Sequence, residues 1–241
     1  MVDRPRAYAG RRVSGKRGSW TSATMLFAYA VAFSFAYRTL SASTGALILF
    51  GAVQTTMILA ALGSGERPHP LEWLGLLLAL CGLVVLVSPG LAAPSPSGSA
   101  LMGLAGISWG MYSLRGRRAG DPLADTGGNF VRAVPLAVAV SCCTLPHAHL
   151  SRHGAFLAAL SGTLASGVGY VLWYAALRGL TATRAATVQL AVPALAALGG
   201  VLFLAEHVSA RLLLAAALIL GGVGLAVASR RPRSIAPPSP R

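Results

Sequence analysis

The chain has 241 residues, 55% of them hydrophobic and only 11% charged, with a formal net charge of +14. Soluble domains carry about 25% charged residues, so this balance excludes an ordinary soluble protein and makes the bilayer the solvent. In a soluble protein the positive excess would suggest nucleic acid. Here it sits mostly in the termini and short connectors, where it sets membrane orientation, and no nucleic-acid partner is expected.

Residues 1–19 form a basic leader, with Arg4, Arg6, Arg11, Arg12, Lys16 and Arg17. An apolar run follows, and the pair could pass for a signal peptide, with Ser41-Ala42-Ser43 as a weak cleavage site. That reading fails because the run has a counterpart deep in the chain, at 160–177. Eight stretches approach the roughly 20 residues needed to cross the hydrocarbon core as a helix. They are 20–37, 44–63, 71–88, 100–114, 129–146, 155–177, 184–205 and 211–229. The fifth is the weakest, because Arg132, Pro135 and Pro146 shorten it. Residues 89–99 are rich in Pro, Gly and Ser and read as a linker. Residues 230–241 are basic and Pro-rich and read as a disordered tail. Cys81, Cys142 and Cys143 all lie in apolar spans and imply no disulfide framework.

An internal repeat organises these spans. At an offset of 140 residues Val31 falls on Val171, Arg38 on Arg178, Glu66 on Glu206, Leu74 on Leu214, Gly82 on Gly222 and Val87 on Val227, without a gap. The glutamate match carries weight because the chain holds only six acidic residues. With the N-terminus in the cytoplasm, only Arg38, Arg152 and Arg211 of the 20 basic residues fall on the far side. Both termini are therefore expected inside, with an even span number. Three spans of the first half then pair with three of the second across an odd displacement. The two units lie upside down relative to each other, which is the plan of secondary carriers with a midplane site.

The stretches YRTLSASTGALI, GERPHPLEWLGLLLALCGLVVLV, GISWGMYSLRGRR and ALRGLTATRAATVQLAVPALAALGGVLFLAEHVSARLLLAAALILGGVGLAV carry a resemblance. In order and spacing they resemble the EamA-type transporters of the drug/metabolite transporter superfamily, over about residues 20–229. The resemblance implies two inverted five-span halves. It also implies outward movement of small metabolites, amino-acid-like compounds or drugs, often coupled to protons, in the cell membrane. Against that plan the second half (100–229) has five spans and the first (20–88) only three. The expected fold is all-α and polytopic, with about eight transmembrane helices in an incomplete 3 + 5 version of a 5 + 5 design. Either the start lies upstream or this is a shortened copy. Val53 stands opposite Pro193, where the family has a proline in both halves.

The candidate substrate cavity comprises Trp109, Tyr112, Tyr170, Gln189, Pro193 and Gln54. Polar groups inside apolar spans face the bundle interior, as structural glue or as ligands. Gln189 lies four residues before Pro193, which cannot donate to its carbonyl, and broken midplane helices are where carriers bind. Trp109 and Tyr112 share a helix face. Trp173 and Tyr174 lie little more than a turn from Arg178 and read as an interfacial belt. Arg38 and Arg178 end their spans in equivalent places, as snorkelling cations or as gates. Glu66 and Glu206 read as helix-boundary carboxylates favoured by a helix N-terminus. His147, His149 and His153 share one loop without an acidic or thiolate partner, so no metal is assigned.

No Asp or Glu occupies the middle of a span, which leaves a proton-coupling group unlocated. No P-loop and no catalytic constellation is present, so no cofactor and no enzymatic activity are expected. The partners expected are the lipid bilayer and a small-molecule substrate, with proton coupling, a homodimer or a partner chain as further expectations. The alternative to a secondary exporter working by alternating access is a truncated membrane protein that does not transport or depends on a partner. A membrane-embedded enzyme or sensor would need polar groups that the sequence lacks.

Overall fold

The computed structural model describes residues 18–88, 94–118, 120–144, 151–204 and 207–229, except for the side chains at 200, 203 and 204. Among the described residues every regular element is helical. The order is α1 (Trp20–Ala36), α2 (Ala42–Gly63), α3 (Pro70–Val87), α4 (Pro96–Gly116), α5 (Pro122–Thr144), α6 (Arg152–Leu160), a π-helical segment (Ser161–Val168), α7 (Gly169–Leu177), α8 (Ala182–Gln189), α9 (Ala191–Leu204) and α10 (Ala210–Ala228). The starts are written in the sequence. Ser19, Ser41, Ser95, Ser151, Thr181 and Ser209 each accept a hydrogen bond from a first-turn N–H, and Pro70 and Pro96 occupy first-turn positions.

α2, α3, α5, the unbroken run Arg152–Leu177 and α10 are long and apolar enough to cross a membrane, and α1 is a shorter apolar helix of 17 residues. Large apolar side chains face outward throughout, among them Leu77, Val84, Leu172, Leu202 and Leu213. In lipid such a surface is solvated. The three cysteines also lie on it.

Two expected boundaries move. The fifth span is not shortened by Arg132 and Pro135, because α5 runs for 23 residues through Pro135. The Arg132 guanidinium folds back onto the Gly128 carbonyl at 2.7 Å. The second half begins inside the expected linker, since α4 starts at Pro96. The basic leader before residue 18, the tail from 230, Glu206, His147 and His149 fall outside the described residues.

The repeat has a structural counterpart where α3 packs along α10. An added Cβ at Gly75 would overlap the Gly222 carbonyl, and one at Gly82 would lie 2.9 Å from the Ala215 carbonyl. Under the 140-residue offset Gly75 becomes Ala215 and Gly222 becomes Gly82, so each contact is the image of the other. Glu72 meets Ser229 at one end of the same pair. The two helices therefore run antiparallel about a pseudo-two-fold axis, as inverted repeats require. Small residues at this seam let the backbones approach closely.

α4 packs against α1 and α2. One end of the bundle collects the starts of α1, α3, α5 and α8 and the ends of α2, α4, α7 and α10; this is the polar end. Gly65 (φ +81°) and Gly179 (φ +80°) make their turns there in the left-handed region that favours glycine. The symmetry is incomplete around α1. Ser22, Ala23 and Leu26 are buried where α4 and α5 pack on α1. Their counterparts Gly162 and Thr163 are exposed and Ser166 is half-buried.

Candidate functional site

The centre of the bundle is an aromatic cluster with amides at its edge. Trp109 and Tyr112 project from one face of α4, and Tyr170 and Tyr174 from one face of α7, spaced three and four residues apart as a shared helix face demands. The Trp109 ring lies 4.9 Å from Tyr29 of α1, 4.9 Å from Tyr170 and 5.7 Å from Tyr112, centroid to centroid. Tyr174 stacks on Tyr112 at 4.9 Å, and Phe130 of α5 closes on Tyr170 at 5.7 Å. Such tilted arrangements match positive ring edges to negative faces.

The break between α8 and α9 supplies the polar groups. The Leu190 N–H donates to Thr187 at 3.0 Å, a tightened turn that leaves the Ala186 carbonyl without its usual donor four residues on. Gln54 of α2 fills the vacancy, its Nε2 donating to Ala186 O at 2.8 Å. Pro193 follows at the start of α9, half-buried, and cannot donate to the Gln189 carbonyl. The Gln189 side chain accepts from the Trp109 indole N–H and donates to Met57 Sδ at 2.9 Å. Gln54 and Gln189 are both only 3% exposed. Two buried acceptor or donor sites remain without a hydrogen-bond partner here, Gln54 Oε1 and the Tyr112 hydroxyl.

A cavity of about 1430 Å³ opens at the polar end. Its walls carry Arg115, Arg117, Arg178, Asp125, Glu66 and Tyr174. Tyr174 joins it to the aromatic cluster, because its hydroxyl donates to the Tyr112 carbonyl at 3.3 Å. The volume exceeds the roughly 300–1,000 Å³ of a typical small-molecule pocket, and the cavity forms an open vestibule at this end.

The predicted residues thus separate into groups. Trp109, Tyr112, Tyr170 and Gln189 come together, with Gln54 holding the helix that carries Gln189. Arg38 stands apart at the opposite end, exposed, its guanidinium 6.0 Å from the Phe35 ring centroid. Arg178 lines the vestibule and donates to the Gly120 carbonyl. Glu66 does not serve the helix that follows it. Its carboxylate accepts from Ala182 N at 3.0 Å, caps α8 of the second half, and pairs with Arg117 at 3.1 Å. Tyr174 is 2% exposed and Trp173 donates to Ser113 Oγ at 3.0 Å, so neither forms a surface belt. Proximity to Arg178 suggested the belt, whereas helix phase sets Tyr174 beneath Tyr170.

Sequence reasoning passed over Tyr29, Phe130 and the pair Glu72–Arg184. Tyr29 falls on Gly169 under the repeat, so the offset hid it. Among the described residues no group of three metal-ligating side chains converges.

Taken together, an all-helical bundle with an inverted seam, a broken helix and a central aromatic–amide cluster define a polytopic membrane protein built on inverted repeats. The model of the EamA-like transporter family matches residues 96–228, and the chain belongs to that family. It is a multi-pass membrane transporter of the drug/metabolite type. It is 50% identical over 224 residues to uncharacterized protein PA1977 of Pseudomonas aeruginosa, covering 93% of this chain and 78% of that one. It is 32% identical over 186 residues to the threonine/homoserine exporter RhtA of Salmonella typhimurium, covering 73% of this chain and 61% of the exporter. A protein of known crystal structure shares the fold, with a TM-score of 0.73 at 22% identity over 87% of this chain and 75% of its own.

Proposed function

We propose that this transporter exports small amino-acid-like metabolites from the cytoplasm across the cell membrane by alternating access, with the polar end and both termini inside. The observation that carries the reading is the Trp109–Gln189 hydrogen bond, set in an aromatic cluster at a helix break below an open vestibule. Aromatic faces and a single amide suit a compact substrate with apolar and hydrogen-bonding parts. The kinship with a threonine/homoserine exporter directs the first test toward amino acids of that size. The arginines of the vestibule favour entry of a carboxylate. Protons are the proposed coupling ion.

The test is export of labelled threonine and homoserine from preloaded cells, with Gln189→Leu beside the parent and membrane insertion measured in both. Loss of export with normal insertion supports the site, and unchanged export removes Gln189 from it. Proton coupling is read separately, in membrane vesicles, by imposing and then collapsing a pH gradient.

A second reading draws on the exposed Gly162 and Thr163, whose counterparts are covered on α1. In it, transport requires further helices against α6, the π-helical segment and α7. Recovery of export on co-expression with a two-span fragment distinguishes this case.

A further inference from the structure

α8 is eight residues long, and residues of the first half grip both of its ends. At its start Glu66 caps the Ala182 N–H. Within the same first turn, Arg184 Nη2 lies 2.7 Å from Glu72 Oε1 of α3 and 3.1 Å from the Ser229 carbonyl at the end of α10. The Ser229 hydroxyl donates to the same Glu72 oxygen at 3.4 Å. This ion pair is well shielded, with the two side chains 15% and 6% exposed. At the other end of α8 sit Gln189 on Trp109, the tightened turn at Leu190 and then Pro193.

α8 also lies in poorly satisfied surroundings. Thr183 Oγ1 and Arg184 Nε on α8, and Gln54 Oε1 facing it, are buried without hydrogen-bond partners. Buried polar groups are nearly always paired, and groups left unpaired cost stability. Beside the Glu66 cap and the Gln54 bond to the Ala186 carbonyl, the Glu72–Arg184 ion pair is the shielded charge contact that fixes α8 to α3.

We propose that the Glu72–Arg184 ion pair is a latch that holds α8 in the arrangement whose vestibule is open at the polar end, and that α8 pivots at Leu190 when the latch parts. α3 and α10 form the fixed side, packed backbone to backbone along their glycine seam. Movement of α8 carries Gln189 with it, so occupancy of the central cluster and release of the latch are two ends of one lever. Parting the pair exposes a charge that must find new partners, which makes the helix two-state rather than continuously mobile. The inference rests on the alternating-access reading.

The test uses the full chain in membrane vesicles, with Cys81, Cys142 and Cys143 replaced by alanine and Leu180→Cys added as a reporter in the vestibule wall. The readout is the rate of labelling by a membrane-impermeant maleimide from the polar-end side. Glu72→Gln and Arg184→Gln each lower that rate several-fold, because the vestibule closes more often. The exchange Glu72→Arg with Arg184→Glu restores it. Arg184→Lys, which keeps the charge, stays near the parent and serves where a neutral variant fails to insert. Unchanged rates in the neutral variants overturn the latch, as does a lowered rate that the exchange does not restore. Labelling needs no transported solute, so failure of the amino-acid assay and failure of the latch are separate results.

Discussion

Gly75 of α3 and Gly222 of α10 meet backbone to backbone, each placed so that a Cβ would overlap the other's carbonyl oxygen. Replacing either by leucine forces the helices apart. Overpacking of this kind costs about 1–3 kcal/mol. Gly75→Leu and Gly222→Leu are therefore expected to melt well below the parent in detergent. Gly103→Ala and Gly221→Ala, where an added Cβ meets nothing, keep or slightly raise the melting temperature.

Trp109→Phe keeps an aromatic ring but loses the pyrrole part of the indole, and with it the N–H that Gln189 accepts. A buried acceptor left unpaired costs about 1–3 kcal/mol. Export is expected to fall while the protein still inserts. The double variant with Gln189→Leu loses less stability than the sum of the two, because both remove one interaction. Additive losses in a thermal-melt cycle would show the two side chains to be uncoupled.

Glu66→Ala removes the carboxylate that caps the Ala182 N–H beside the Thr181 N-cap, together with the partner of Arg117. Loss of a helix cap costs about 0.5–2 kcal/mol. The ion pair is partly exposed and adds at most about 1 kcal/mol. Arg117→Ala also loses the Nε bond to the Leu180 carbonyl at 3.0 Å, but Leu180 lines the open cavity, where water replaces the donor. Arg117→Ala is accordingly expected to be the milder variant, and Glu66→Gln, which keeps one acceptor oxygen, falls between. The order of three melting temperatures checks this.

Tyr174 separates ring from hydroxyl. Its ring rests against Gly116, leaving no room for a Cβ there, and its hydroxyl makes one hydrogen bond of 3.3 Å. Tyr174→Phe is expected to cost about 1 kcal/mol. Tyr174→Ala empties a buried site and costs about 3–5 kcal/mol. Comparable losses from both would place the weight on the hydroxyl instead.

Arg38 supplies a contrast. It is exposed at the far end of the bundle, and its approach to the Phe35 ring is long. Arg38→Ala is expected to change stability by no more than about 0.5 kcal/mol and to leave export intact. A loss of export would restore it as a gate at that mouth.

The span pattern, the inverted repeat and the α8–α9 break were all legible in the chain. Apolar run length, the 140-residue offset and Pro193 each report a local property or an equivalence. Contacts between elements were less legible. The offset aligns Glu66 with Glu206, yet the partner of Glu66 is the start of α8, which no equivalence names. Tyr174 was misplaced because distance along the chain from Arg178 says nothing about rotation about the helix axis. Glu72 carries no signal of its own in the chain, and only the packing of α3 on α10 and α8 brings Ser229 and Arg184 to it. Gln54 was singled out as a polar group inside a span, but its bond to the Ala186 carbonyl depends on where a neighbouring helix tightens.

The seam between α3 and α10 is made chiefly of backbone and methyl-sized side chains, and this divides the molecule by how it can diverge. At Gly75, Gly82 and Gly222 the packing asks only for smallness, so no chemistry is written there. The faces of α4, α7 and α8 carry indole, phenol and amide groups whose exchange leaves that spine untouched. A bundle with such a spine tolerates a change in the chemistry of its central faces, one side chain at a time, without a change in how the spine packs.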